Sequence, residues 1–202
     1  VFSIFFAHQQ SLANVKLISN TTSVRYIHGW TDINGDIQSA VQFKLNQGWK
    51  TYWRNPGLFG IEPKFDWTGS LNIRDIEFSW PTPQIFEQYD VKVIGYKNVL
   101  TIPIKITKKV PFKKGFLNLK LEFGVCADIC LIEKAEINEQ LKSQDSKENS
   151  NVITTALKKV PGNITDKVLS LSECSININD KELTVGYSIN LIKVPNSKPA
   201  MI

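Results

Sequence analysis

The chain has 202 residues, enough for one domain and part of a second. Its formal charge of +5 is modest and scattered, and its two histidines, His8 and His28, leave little for a histidine-based metal site or catalytic triad. The densest basic stretch, Lys108, Lys109, Lys113 and Lys114 around Pro111, reads as a solvated turn, because no nucleic-acid recognition motif accompanies it.

Residues 1–13 are expected to be the remnant of a signal peptide. Val1-Phe2-Ser3-Ile4-Phe5-Phe6-Ala7 is apolar, and Ser11-Leu12-Ala13 resembles a small-x-small cleavage site. With neither an initiator Met nor a basic leading stretch, the start of that segment is expected to be missing. No later run is long enough to span a bilayer. The mature chain is therefore expected to be exported, into a compartment where disulfides persist.

From residue 14 the pattern is almost entirely that of strands. Val24, Tyr26, His28 and Trp30 alternate with other residues. Ile37, Ser39, Val41, Phe43 and Leu45 mark a clearer strand after the turn Asn34-Gly35-Asp36. Residues 48–60 crowd Trp49, Tyr52 and Trp53 beside an Asn55-Pro56-Gly57 turn. Next, Leu71 and Ile73 share one face, whereas Ile76, Phe78 and Trp80 share the other, which predicts a bulge near Arg74-Asp75. Trp80-Pro81-Thr82-Pro83 ends that run. A loop carrying Phe86 and Tyr89 is expected over residues 84–90. Leu100, Ile102, Ile104 and Ile106 mark another strand, and Pro103 within it implies an edge or bulge position.

The strongest alternation follows. Leu117, Leu119, Leu121, Phe123 and Val125 are apolar; Asn118, Lys120, Glu122 and Gly124 between them are not. One step further, the same period turns Cys126 away from the core, and residues 131–137 are expected to return as the neighbouring strand. About seven short strands with regularly spaced turns fit an all-β, immunoglobulin-like sandwich over residues 14–140. Residues 141–151 are polar and read as a linker. Ser150 is expected to cap a short helix with Val152, Ile153, Ala156, Leu157 and Val160 on one face, stopped by Pro161-Gly162, so that linker and helix span 141–165. Residues 166–202 open a second β pattern, with Cys174, Ile176 and Ile178 before a turn at Asn179-Asp180 and Leu183, Val185, Tyr187, Ile189 and Leu191 after it. One hairpin is too little to bury a core, so this is expected to be the truncated start of a second β domain, the alternative being a hairpin that docks on the first domain.

Cys126 and Cys130 admit three uses: metal binding, structural bracing and electron exchange. Zinc needs four ligands, and beyond this pair only Cys174 and two distant histidines are candidates. A brace closing so small a loop constrains the unfolded chain little. Exchange suits a tight, accessible pair, because exposed disulfides are the labile ones. Asp128 between the sulfurs disfavours the thiolate, so the pair is expected to be sluggish alone and to react with one docked partner whose own cysteine is activated. Cys174 lies on the apolar side of its strand and is expected to be a buried, inert thiol. No metal or other cofactor is expected. The rival reading is a non-catalytic β-sandwich binding module whose disulfide only braces it.

Taken together, residues 48–57 (Gly-Trp-Lys-Thr-Tyr-Trp-Arg-Asn-Pro-Gly), Phe65-Asp66-Trp67, Trp80-Pro81-x-Pro83, Gly95-Tyr96 and Val125-Cys126-x-x-Ile129-Cys130 resemble the N-terminal periplasmic domain of DsbD-type and ScsB-type thiol:disulfide interchange proteins. The resemblance covers residues 24–140 and runs on through Ala156-Leu157-x-x-Val160-Pro161. It implies an immunoglobulin-like, periplasmic domain of a Gram-negative bacterium with Cys126 and Cys130 as the redox pair. Such a domain takes electrons from a membrane-embedded partner and passes them to oxidised thioredoxin-fold periplasmic proteins such as disulfide isomerases or cytochrome c maturation factors. It also implies a cap within residues 86–90, with Phe86 or Tyr89 as the lid, and a pocket lined by Tyr52 and Trp53. Relatives place more residues between the cysteines and put acidic residues in the cap, for which Glu87 and Asp90 are the counterparts here. The membrane-embedded and thioredoxin-like parts are expected either to have been cut away or to be separate proteins. Trp49, Trp53, Trp67 and Trp80 are expected in the core, since aromatics dominate core energetics.

Overall fold

The computed structural model describes residues 17–57, 60–88, 91–142, 146–162, 169–179 and 182–191. The chain divides into two compact units between Val160 and Pro161. The first contains β1 (Leu17–Ile18), β2 (Thr22–Thr31), β3 (Ile37–Leu45), β4 (Lys50–Tyr52), β5 (Lys64–Asp66), β6 (Ile73–Phe78), β7 (Gln84–Gln88), β8 (Val91–Lys97), β9 (Val99–Lys108), β10 (Phe116–Cys126), β11 (Cys130–Gln140) and α1 (Lys147–Leu157). One sheet runs β1-β2-β3-β9-β6. The other runs β11-β10-β4-β8-β7, with β5 also pairing β10. The second unit contains an antiparallel hairpin of β12 (Leu169–Asn179) and β13 (Glu182–Leu191). No described helix is long and apolar enough to cross a membrane.

The two sheets of the first unit form the expected immunoglobulin-like sandwich. Each contributes one face of its period-two pattern to a shared core. Leu117, Leu119, Leu121, Phe123 and Val125 of β10 are buried together with Leu100, Ile102, Ile104 and Ile106 of β9. Phe43 and Phe123 meet edge to face, ring centroids 4.9 Å apart, joining the sheets near the middle. Trp49, Trp53, Trp67 and Trp80 pack around this core, partly buried. His28 Nε2 of β2 lies 3.3 Å from a Glu139 carboxylate oxygen of β11, a tie across one open side.

Local rules and tertiary context part company at several points. The bulge predicted near Arg74 is present as a register shift between Ile73 and Asp75. Residues 84–88, expected as loop, form β7 and pair with β8 from Gln84↔Gly95 to Gln88↔Val91. Tyr89 and Asp90 lie outside the described residues, as do residues 1–16 and the side chain of Cys174. Pro103 sits not on an edge but on β9, between β3 and β6. Its carbonyl accepts from Ser79 N, just past the end of β6. The missing N–H therefore points to the side where the neighbouring strand has run out, which satisfies the rule by another route.

Helix α1 starts earlier than expected. Ser146, not Ser150, is its N-cap, and accepts a hydrogen bond from Asn149 N at 3.1 Å. It is not a free linker element: Ile153 is fully buried against Ile27 and Ala40 on the outer face of the first sheet. Gly29 makes room for it. A Cβ at Gly29 would lie 2.8 Å from Ile153 Cδ1 and 2.1 Å from the Gln38 carbonyl oxygen. This position falls in the β2–β3 irregularity between Ile27 and Trp30. Thr82 N and its hydroxyl both donate to the Lys159 carbonyl, fastening the end of the helix to the loop after β6. Ile153→Ala is expected to lower unfolding stability by about 3 kcal/mol in urea titration, whereas a loosely attached linker helix would show almost no change.

Candidate functional site

β10 and β11 pair in continuous register from Phe116↔Gln140 to Cys126↔Cys130. The last pair sets the two cysteines directly opposite each other, and directly opposed residues project to the same face. Residues 127–129 make the turn, closed by Ala127 N donating to the Ile129 carbonyl at 3.0 Å. The sulfurs are bonded, with the Cα atoms 4.2 Å apart.

Val125 points into the sandwich core, so Cys126 points out of the other face, as the alternation requires. It does not reach water. Tyr52 from β4 and Val93 from β8 enclose it in a small apolar cluster, bordered by Ile61 and Phe86. Cys126 is 1% exposed; Cys130 is exposed. The difference follows from strand order. β10 is flanked on both sides, whereas β11 ends the sheet. Ile129, Leu131 and Ile132 beside Cys130 are also exposed, which gives the accessible sulfur an apolar collar.

Gly124 makes this packing possible. It lies two residues before Cys126 on the same face. A Cβ there would sit 2.5 Å from Ile61 Cβ and 3.0 Å from Tyr52 Cδ2, so the bare backbone admits both covering residues. The Thr51 hydroxyl donates to the Gly124 carbonyl at 2.8 Å and locks β4 to β10 beneath them.

The Tyr52 hydroxyl stands 2.7 Å from Cys126 Sγ and 3.7 Å from Cys130 Sγ. Burial raises its pKa above the usual phenol value, so it keeps its proton and is the donor toward the sulfurs. Lys50 is the cross-strand partner of Cys126 on β4. Its side chain therefore shares that face, and Nζ lies 5.5 Å from the centroid of the Phe86 ring. A cation there favours a thiolate, opposing the effect expected of Asp128, which is exposed in the turn.

Of the residues singled out from sequence, the structure brings together Cys126, Cys130, Tyr52 and Phe86. Trp53 is elsewhere. As Tyr52's neighbour on the chain it faces the other way, packs on the main core, and carries the Arg54 guanidinium 5.0 Å over its ring. Phe86 comes from a strand, not a loop. Val93, Ile61, Lys50 and Gly124 were missed. Gly124 had a readable signal, since glycine inside a strand marks close approach by another part of the chain.

A disulfide with one sheltered and one open sulfur, at the end of an immunoglobulin-like sandwich, defines a thiol–disulfide exchange domain. The model of the family described as "Thiol:disulfide interchange protein DsbD, N-terminal" matches residues 28–142, more than half of the chain, and the chain belongs to that family. It is similar to the N-terminal periplasmic domain of ScsB from Proteus mirabilis, with 25% identity and a TM-score of 0.66 over 87% of this chain and 68% of that one. The N-terminal domain of Neisseria meningitidis DsbD in the reduced form aligns with 15% identity and a TM-score of 0.33, over 59% of this chain and 90% of that one. A search of curated proteins finds no match.

After reduction, iodoacetamide is expected to modify Cys130 at least about tenfold faster than Cys126, because thiol reactivity follows access as well as thiolate fraction. Peptide mass spectrometry over a time course reads the two rates; equal rates would show that the sheltering of Cys126 has no chemical effect.

Proposed function

We propose that the domain relays electrons in the periplasm by reversible opening of the Cys126–Cys130 disulfide, acting as a protein-disulfide reductase. Its donor would be a membrane-embedded thiol–disulfide transporter domain. Its acceptors would be oxidised thioredoxin-fold periplasmic proteins, including those that serve cytochrome c maturation. The family and the periplasmic ScsB relative support this reading, but the observation that carries it is the unequal burial of the two sulfurs.

In the loading direction, a donor thiolate attacks Cys130 Sγ, the sulfur it can reach. A mixed disulfide forms at Cys130, and the Cys126–Cys130 bond breaks with its electron pair going to Cys126. That leaving thiolate develops beneath the Tyr52 hydroxyl, 2.7 Å away, where a hydrogen bond stabilises it. The donor's second thiolate then attacks its own half of the mixed disulfide. It leaves as a disulfide, and Cys130 departs as a thiolate. The reduced domain holds two electrons and takes up protons according to pH. Unloading runs the same steps in reverse: Cys130 attacks the acceptor disulfide, and Cys126 resolves the adduct. Phe86 acts as the cap. Phe86 packs against the cluster that holds Cys126 and limits approach by water and small thiols.

Cys126→Ala, which leaves Cys130 free, is expected to trap a covalent adduct with an oxidised thioredoxin-fold protein, visible on a non-reducing gel. Cys130→Ala is expected to trap none. A purely bracing disulfide would instead leave both variants inert toward partners. Loss of this five-residue loop closure is expected to cost no more than about 2 kcal/mol of stability. Tyr52→Phe is expected to slow reduction of the disulfide by a thiol roughly tenfold, the loss of about 1.5 kcal/mol from a hydrogen bond to a charged leaving group. An unchanged rate would remove Tyr52 from the mechanism.

A further inference from the structure

Loops at the far end of β10 from the disulfide hold apolar side chains out in solvent. Ile33 is 93% exposed, Phe112 74% and Leu71 66%, with Val110 and Phe116 also exposed. They belong to one surface. Leu71 and Phe116 exchange both backbone hydrogen bonds, at 2.8 and 3.0 Å. Gly35, in the turn that carries Ile33, lies so close to the next loop that a Cβ on it would be 3.0 Å from Pro111 Cβ and 3.3 Å from Phe112 N.

This loop is built rather than slack. Asn72 Nδ2 donates to the carbonyls of Val110, Lys113 and Lys114, at 3.0, 3.3 and 3.2 Å. Its Oδ1 accepts from Val110 N at 2.8 Å. Lys108 Nζ reaches the Lys113 carbonyl at 3.4 Å. Within the clamp Phe112 has φ +58°, a left-handed conformation that is uncommon for a bulky side chain. Such outliers persist where the surroundings over-determine them, and they cluster at functional surfaces.

The charge around these tips is positive. Lys109, Lys113, Lys114 and Arg74 are exposed between and beside the apolar side chains. Asp32 and Asp36 both lie within reach of Lys105, at 3.9 and 3.3 Å, and Asp75 adjoins Arg74 on β6. Ile33, Phe112 and Leu71 project from the surface, each more than half exposed. Neither the cavity lined by Pro81, Tyr96 and Lys159 nor that lined by Phe65, Leu121 and Ala135 includes any of these residues.

We propose that this end of the sandwich docks on an anionic lipid bilayer, with Phe112, Leu71 and Ile33 entering the headgroup layer and the flanking lysines meeting lipid phosphates. Apolar tips interleaved with Lys are what interfacial membrane binding requires: apolar burial supplies depth, and cations supply attraction that salt screens. The eleven residues of β10 hold Cys130 about 33 Å from the docked end. Docking here would thus leave the sulfur facing away from the lipid, a pose for unloading to acceptors in solution, and loading by a membrane-embedded donor would need the domain to leave the surface.

The full chain would be sedimented with sucrose-loaded vesicles of phosphatidylcholine alone or mixed with phosphatidylglycerol, at low and high salt. Binding is expected to the mixed vesicles only, and to weaken with salt. Phe112→Asn removes the ring but tolerates the left-handed backbone, and is expected to weaken partitioning about tenfold. Lys113→Glu with Lys114→Glu is expected to lower it by roughly tenfold or more at low salt. Unchanged circular dichroism and an unchanged Cys130 alkylation rate would show that the variants remain folded. The proposal is overturned if the chain stays in the supernatant, or if binding survives both variants and so belongs elsewhere. It is equally overturned if heparin binding falls with the lysine variant while vesicle binding ignores Phe112, which would mark a site for a soluble polyanion.

Discussion

A β-strand sends adjacent side chains to opposite faces, and at the end of β10 that rule separates Val125 from Cys126. Val125 is the last of five buried apolar residues in the row that begins at Leu117. A register slip of one residue would turn that whole row toward solvent. The core thus acts as a ruler for a sulfur that is not part of it. The sandwich fixes Cys126 with the same interaction that stabilises the fold, and Cys130 follows because it is the cross-strand partner.

The unequal surroundings of the two sulfurs come from strand order, not from residue type. An interior strand has neighbours on both sides to contribute cover, and β4 and β8 bring Tyr52 and Val93 over Cys126. An edge strand lacks them on one side, so Cys130 meets solvent within a collar of Ile129, Leu131 and Ile132. The polar groups fall in the same order. Tyr52 and Lys50 stand on the sheltered side and Asp128 in the exposed turn. Accessibility and stabilisation of charge are therefore divided between the two atoms.

Much of this was legible in the sequence where a single strand carried the signal. The alternation from Leu117 to Val125 placed the cysteine outside the core without reference to any other segment, and the change of face after Ile73 located a bulge. What depended on a neighbour could not be read in this way. Residues 84–88 become a strand only because β8 lies beside them. Pro103 is tolerated inside a sheet only because β6 has stopped. The helix is capped by Ser146, four residues before the capping serine that the apolar spacing favoured, and its true partner, the bare surface at Gly29, is more than a hundred residues away. Tyr52 and Trp53 were read together as pocket residues, although neighbours on an extended chain face opposite ways.

The hairpin that bears the disulfide is held by eleven residue pairs between β10 and β11, of which the cysteines make only the terminal one. Backbone hydrogen bonds along that ladder do not depend on whether the sulfurs are joined. The hairpin's backbone is accordingly insulated from the state of its sulfurs, like a battery case that does not swell on cycling. Whatever distinguishes the reduced domain from the oxidised one is therefore confined to the turn and its immediate rim.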